Sequence, residues 1–140
     1  MIAPLLLLAS CVAPDRTYEP YEADAVATAE DAASAAQTAL LAVDASTRSN
    51  VTQNYLSIVL EEAEADASGV QGTFDSIQPP NSEADRLKNE LDKLLDDAAS
   101  VLEDLRIAIR RGELEKLPDI AHPLDDTAKK LDDFATAHER

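Results

Sequence analysis

Between residues 82 and 112 the chain alternates apolar and polar positions in steps of three and four. Ala84, Leu87, Leu91, Leu94, Ala98, Val101, Leu105 and Ala108 mark one face, the repeat of a helix that packs one side on its neighbours. Leu95, Leu102 and Ile109 widen that face, which suits the inside of a bundle better than a two-stranded coiled coil. Ser82 is the expected N-cap, with Asp85 three residues on. Arg110 and Arg111 occupy the last turn and Gly112 is the expected stop.

Three more segments carry the same repeat. Residues 21–46 predict an Ala-rich helix facing inward through Val26, Ala29, Ala33, Ala36, Leu40 and Val43. Alanine favours the helix but buries little surface, so this helix is expected to contribute least to the core. The polar run 46–50 reads as a turn, in which Asn50 and Gln53 resemble a capping box. Residues 51–77 predict a second helix through Leu56, Leu60, Ala63, Ala67, Val70, Phe74 and Ile77, closed by Pro79 and Pro80. Gly69 and Gly72 inside it point to a close helix contact or a bend. After a short connector over 113–117, Pro118 opens a fourth helix facing inward through Ile120, Leu124, Ala128, Leu131 and Ala135. Phe134 lies beside that face, and Pro123 is expected only to bend the helix. Short turns imply antiparallel neighbours. The expected fold is all-α, an antiparallel up-down-up-down four-helix bundle over residues 21–140, with helices roughly 35–43 Å long.

The residues before it differ in kind. Residues 1–11 read MIAPLLLLASC, a run too short for a spanning helix, which needs about 20 apolar residues, but long enough for a signal segment. No Lys or Arg precedes the run. Leu8-Ala9-Ser10-Cys11 resembles the bacterial lipobox. That resemblance implies cleavage after residue 10, a diacylglycerol on Cys11, and a membrane-anchored lipoprotein outside the cytoplasm. Cys11 is the single cysteine, so no intramolecular disulfide can form, and lipidation accounts for its presence. Residues 11–20, with Pro14 and Pro20, are expected to form an extended tether. The whole resembles the small helical lipoproteins of high-GC bacteria.

Charge narrows the partners. With 28 acidic against 12 basic residues the net charge is −16, which repels phosphate backbones and anionic head groups. Two Phe, three Tyr and no Trp leave little for base stacking. No nucleic-acid partner is expected. The membrane is met through the lipid on Cys11, an envelope protein is a possible partner, and the bundle itself is expected to be a monomer.

Candidate chemistry is sparse. Glu-x-x-His, the metal signature of bundle interiors, does not occur. Its nearest approach is Asp119-x-x-His122. Acid pairs at Glu61-Glu62, Asp96-Asp97, Asp125-Asp126 and Asp132-Asp133 flank the apolar stripes as solvated faces. His122 and His138 read as surface or boundary residues. No catalytic residue, metal ligand or cofactor is expected. Val43, Leu56, Val70 and Phe74 could line a pocket between the first two helices, and the same residues would equally fill a core. The expected function is a non-enzymatic interaction or scaffolding module of the bacterial envelope. The alternative is an extracytoplasmic bundle that binds a small ligand or cation for a sensor or transporter.

Overall fold

The computed structural model describes residues 17–48 and 51–139. Four helices, α1 (Tyr18–Arg48), α2 (Gln53–Asp75), α3 (Ser82–Arg110) and α4 (Leu117–His138), pack together, with a single 3-10 turn at Leu114–Lys116 before α4. Cross-helix partners run in opposite senses. Lys88, Arg106 and Arg110 of α3 reach Asp75, Glu64 and Glu61 of α2, descending one helix as they climb the other. On α1, Glu22 meets His138 at the far end of α4. Neighbouring helices are therefore antiparallel, and among the described residues no helix is long and apolar enough to cross a membrane.

Helix ends follow local chemistry, with three corrections. Helix α1 begins at Tyr18, so Tyr18, Glu19 and Pro20 belong to the helix and not to the tether. Proline is tolerated there because the first-turn N–H groups have no intrahelical acceptor. Thr52 caps α2, its hydroxyl accepting from the Tyr55 N–H, and Asn50 lies outside the described residues. Asn81 rather than Ser82 caps α3, its Oδ1 accepting from the N–H groups of Glu83 and Ala84 at 3.0 Å each. Asparagine and serine cap comparably well, and the residue whose backbone is still extended takes the position.

The far end of α3 stops as expected. Gly112 adopts φ +73, Glu113 N–H donates to Ala108 O and Gly112 N–H to Ile109 O. This double closure needs a residue in the left-handed region, where glycine carries no Cβ penalty. Helix α4 continues through Pro123 to His138. The Thr127 hydroxyl donates to Pro123 O at 3.1 Å.

The core corrects the expected ranking of the helices. Tyr21, Ala25, Ala29, Ala32, Ala36 and Ala39 of α1 are wholly buried. Cα atoms of α1 approach within 8 Å of all three other helices, whereas α2 and α4 make no such approach to each other. Alanine allows this: without bulk on α1, α3 closes across the diagonal and pushes α2 and α4 apart. The Ala-rich helix is thus the centre of the bundle and not its weakest part. Val26 and Leu40 are only partly buried, at the margin of its buried arc.

In α3 the buried line runs through Ala84, Leu87, Leu91, Leu95, Ala98, Leu102, Leu105 and Ile109, with Ala108 beside it. Leu94 and Val101 sit half-buried at its edge. In α2, Leu56, Leu60, Ala63, Ala67 and Phe74 are buried as expected, with Val70 and Ile77 partly so. In α4, Leu117 and Ala121 join Leu124, Ala128, Leu131 and Ala135, while Ile120 is partly buried.

Gly69 and Gly72 do not mediate a close helix contact, because a Cβ at either would meet nothing within 4 Å. Both lie within continuous α-helix. Gly69→Ala and Gly72→Ala are each expected to stabilise the fold by about 1 kcal/mol, through a less flexible unfolded chain and better helix propensity. Urea denaturation of the single and double variants checks this, and a loss of stability would show that the glycines serve a backbone need.

Candidate functional site

Three places gather polar chemistry, and the first lies where α1 begins, α2 ends and α3 begins. Tyr21 and Phe74 are both buried, their rings 5.2 Å apart and tilted by 42°. Lys88 Nζ sits 5.3 Å from the Phe74 centroid. It bonds Asp75 and also grips Asp92 at 2.9 and 3.1 Å. Burial pulls the Lys88 pKa down, but the hydrogen bonds to Asp75 and Asp92 outweigh it and hold the ammonium above its ordinary 10.5. This lysine is a fixed cation joining α2 to α3, poorly suited to act as a nucleophile, which would need the neutral amine.

The Tyr21 hydroxyl is buried beside this group and has no hydrogen-bond partner among the described residues. Burial raises its pKa from 10.0; Lys88 opposes that, while Asp92, Asp85 and Asp75 add to it. A buried hydroxyl without a partner costs about 1–3 kcal/mol, so Tyr21→Phe is expected to stabilise the protein by about 1 kcal/mol at neutral pH.

Both groups also govern stability at alkaline pH. Both Tyr21 and Lys88 have raised folded-state pKa values. Their contribution is complete below the unfolded values, near 10, and is lost as pH rises through the folded ones. Stability should hold between pH 7 and about 9.5, then fall above about 10, and Tyr21→Phe should soften the fall. A urea midpoint followed against pH for both proteins tests this. Identical alkaline profiles would remove Tyr21 from the account.

The second place ties the two ends of the described chain together. The Tyr18 hydroxyl donates to Glu22 Oε1 at 3.1 Å, and His138 Nδ1 lies 3.2 Å from the same oxygen. Glu22 is buried, and the His138 ring lies 4.7 Å from that of Phe134. An open hollow of about 450 Å³ lies alongside, walled by Glu19, Val26, Glu30 and Glu139. The pair holds the first turn of α1 against the last turn of α4.

The third place is the outer groove between α1 and α2. An open hollow of about 380 Å³ lies over Ala35, Ala65, Gly69 and Val70, between Asp31 and Asp66. A second, of about 250 Å³, continues it toward Phe74 and Ile77.

The four residues considered as a pocket do not converge. Val43 and Leu56 are buried near the α1–α2 turn. Val70 and Phe74 follow Leu56 by 14 and 18 residues on α2, some 20 Å or more along its axis. Val43 and Leu56 are core, while Val70 and the edge of the buried Phe74 border the outer groove together. Cys11 lies outside the described residues. His122 and Asp119 are exposed. Among the described residues no three His, Cys, Asp or Glu side chains are grouped to hold a metal ion.

Sequence reasoning passed over Tyr21, Glu22 and Lys88. Only Tyr21 carried a signal, as the large apolar member of the 21-25-29-32 stripe of α1. Glu22 and Lys88 read as ordinary surface charges until the topology placed their partners.

Fold and sites together define an all-α, antiparallel four-helix bundle with a filled core and hollows on its outer faces. The chain matches no protein-family model, no curated protein and no solved structure.

Proposed function

We propose that this protein is a lipid-anchored, non-enzymatic interaction or scaffolding module on the outer face of a bacterial membrane. The observation that carries the reading is the division of labour along the chain. A lipobox-like segment ends in the sole cysteine, Cys11, and a bundle follows that turns most of its large apolar side chains inward. With Val43, Leu56 and Phe74 in the core, binding falls to the outer grooves. The acidic surface, at net charge −16, holds the bundle off anionic head groups while the lipid holds the chain to the bilayer.

Fractionation and mass spectrometry test the anchor. The membrane fraction is expected to contain a mature chain beginning at an acylated Cys11. Cys11→Ala is expected to move most of the protein into the soluble fraction. An unmodified Cys11 behind an intact Met1 would end the lipoprotein reading.

A further inference from the structure

The outer groove between α1 and α2 differs in charge from the α3–α4 groove, whose hollow carries both signs through Glu90, Lys93, Lys130 and Asp133, and the remaining two grooves are laced by polar bonds. Arg106–Glu64, Arg110–Glu61 and the Gln71–Asp96 bond lace α2 to α3. Gln37–Asp132 and His138–Glu22 lace α1 to α4. On the α1–α2 rim the charge is one-sided: Asp31 and Asp66 border the hollow, and Arg48 is the one cation on either helix. Arg48 is bound to Asp44 at 2.8 Å. Asp31 and Asp66 on the groove rim therefore face a floor of Ala35, Ala65 and Gly69 with no cation supplied by either helix.

Three of the four large exposed apolar side chains lie on α1 and α2 toward their shared turn, the fourth being Leu114 before α4. Leu41 is 69% exposed, Tyr55 57% and Ile58 46%. Leu41 follows Ser34 and Thr38 on the groove stripe of α1 in helical steps. Tyr55 and Ile58 precede Ala65 and Gly69 on that of α2. Thr28, Thr38 and Thr73 bind the backbone carbonyls four residues back in their own helices, so their hydroxyl protons are already engaged. The groove's outward chemistry is then small apolar floor, large apolar anchors toward the α1–α2 turn, and carboxylate rim.

We infer that this groove docks a basic amphipathic helix of a partner protein, lying along α1 and α2 with its apolar face down and its Lys or Arg side chains over Asp31 and Asp66. The hollows cover Ala65 to Ile77, and the same face of α2 carries on to Tyr55, about 33 Å in all, which matches a helix of roughly 20 residues. The small floor residues let a third helix approach closely, and the acid rim rewards a cationic flank and disfavours an anionic one. This deepens the interaction-module reading and rests on it.

The probe is a 20-residue peptide with a Leu/Ala face flanked by Lys, labelled and titrated with the full chain in detergent, beside a scrambled peptide of identical composition. The helical peptide is expected to bind at least about tenfold tighter than the scramble, since only it presents a continuous apolar face. Leu41→Gln with Ile58→Gln should weaken it about tenfold. Asp31→Asn with Asp66→Asn should weaken it severalfold and flatten its salt dependence. Glu90→Gln with Asp133→Asn, on the α3–α4 face, should leave it unchanged. All six positions are exposed, so the variants keep the core. Equal binding of the scramble, or equal weakening by the α3–α4 pair, would reduce the effect to general charge attraction and overturn the groove. Concentration-dependent dimerisation abolished by Leu41→Gln would replace the partner helix with a second copy of this chain. Photocrosslinkers at Thr38 and Asp97 of the full chain in native cells separate the two levels. An adduct at Asp97 alone overturns the groove and leaves the interaction module standing, and no adduct at either site counts against both.

Discussion

Phe74→Ala is expected to destabilise the protein by about 3–5 kcal/mol, the range for truncating a buried aromatic ring. Four features put it in that range. The side chain is 1% exposed. Its ring packs on Tyr21, with 5.2 Å between centroids, and aromatic pairs of this kind add about 0.5–1.5 kcal/mol beyond area burial. Its face also lies beneath the Lys88 ammonium, so removal exposes the root of the cation that links Asp75 and Asp92. Phe74 is in the last turn of α2, where no further turn of helix can close over the gap. Domains of this size have about 5–15 kcal/mol of total stability, so the variant is expected to be partly unfolded at 37 °C. Urea denaturation followed by circular dichroism measures the loss. Phe74→Leu, which refills most of the volume, should recover more than half of it. A cost below about 1 kcal/mol for Phe74→Ala would mean that this end of the bundle is not part of the cooperative core.

The strongly patterned helices were legible, and in the weakly patterned α1 the helix and the buried Ala29, Ala33, Ala36 and Val43 were legible but its central place was not. In α3, leucines alternate with charges, so the periodicity has contrast. The face was found, and the error was confined to Leu94 against Leu95 and Val101 against Leu102. A 3.5-residue repeat and a 3.6-residue helix drift apart by about 20° per heptad, enough to move the buried line to the neighbouring position. In α1 the contrast vanishes, because alanine stands on the exposed face at Ala23 and Ala27 and on the buried face at Ala25 and Ala32. Transfer energies rank such a helix as a poor core element, yet the same small side chains let it approach every other helix. The caps slipped by one residue where two good capping residues adjoin, as at Asn81 and Ser82. Glu22 and His138 lie 116 residues apart, and nothing local in either neighbourhood announces the pair. Gly69 and Gly72 carried a signal that pointed the wrong way, since an interior glycine suggests close contact and these face open space.

Ala32→Leu is expected to cost about 2–3 kcal/mol or more, although it adds apolar surface to a helix that has little. Ala32 is wholly buried near the middle of α1. Helical register puts it midway between Ala35, which borders the α2 groove, and the Glu22 edge that meets α4. That direction faces α3 across the short diagonal, where Cα atoms come within 8 Å. A leucine there must either leave its preferred rotamers or drive α1 from α3, and the second response would loosen the contacts of α1 with both α2 and α4. Helices α1 and α3 run parallel from the end that holds Tyr21, Phe74 and Lys88, so helical rise puts Ala32 about level with Leu95 and Ala98 of α3, and Leu95→Ala in the same chain should relieve part of the strain. The double variant is then expected to be more stable than the sum of the two single losses by at least about 1 kcal/mol. Ala23→Leu, exposed on the same helix, should change stability by no more than about 0.5 kcal/mol. Were Ala32→Leu as harmless as Ala23→Leu, the alanines of α1 would be helix-forming filler, and the flattened cross-section would need another cause. A large loss at Ala32 with recovery by Leu95→Ala would instead make the absence of bulk on α1 the feature that sets the shape of the bundle, and with it the shallow groove between α1 and α2.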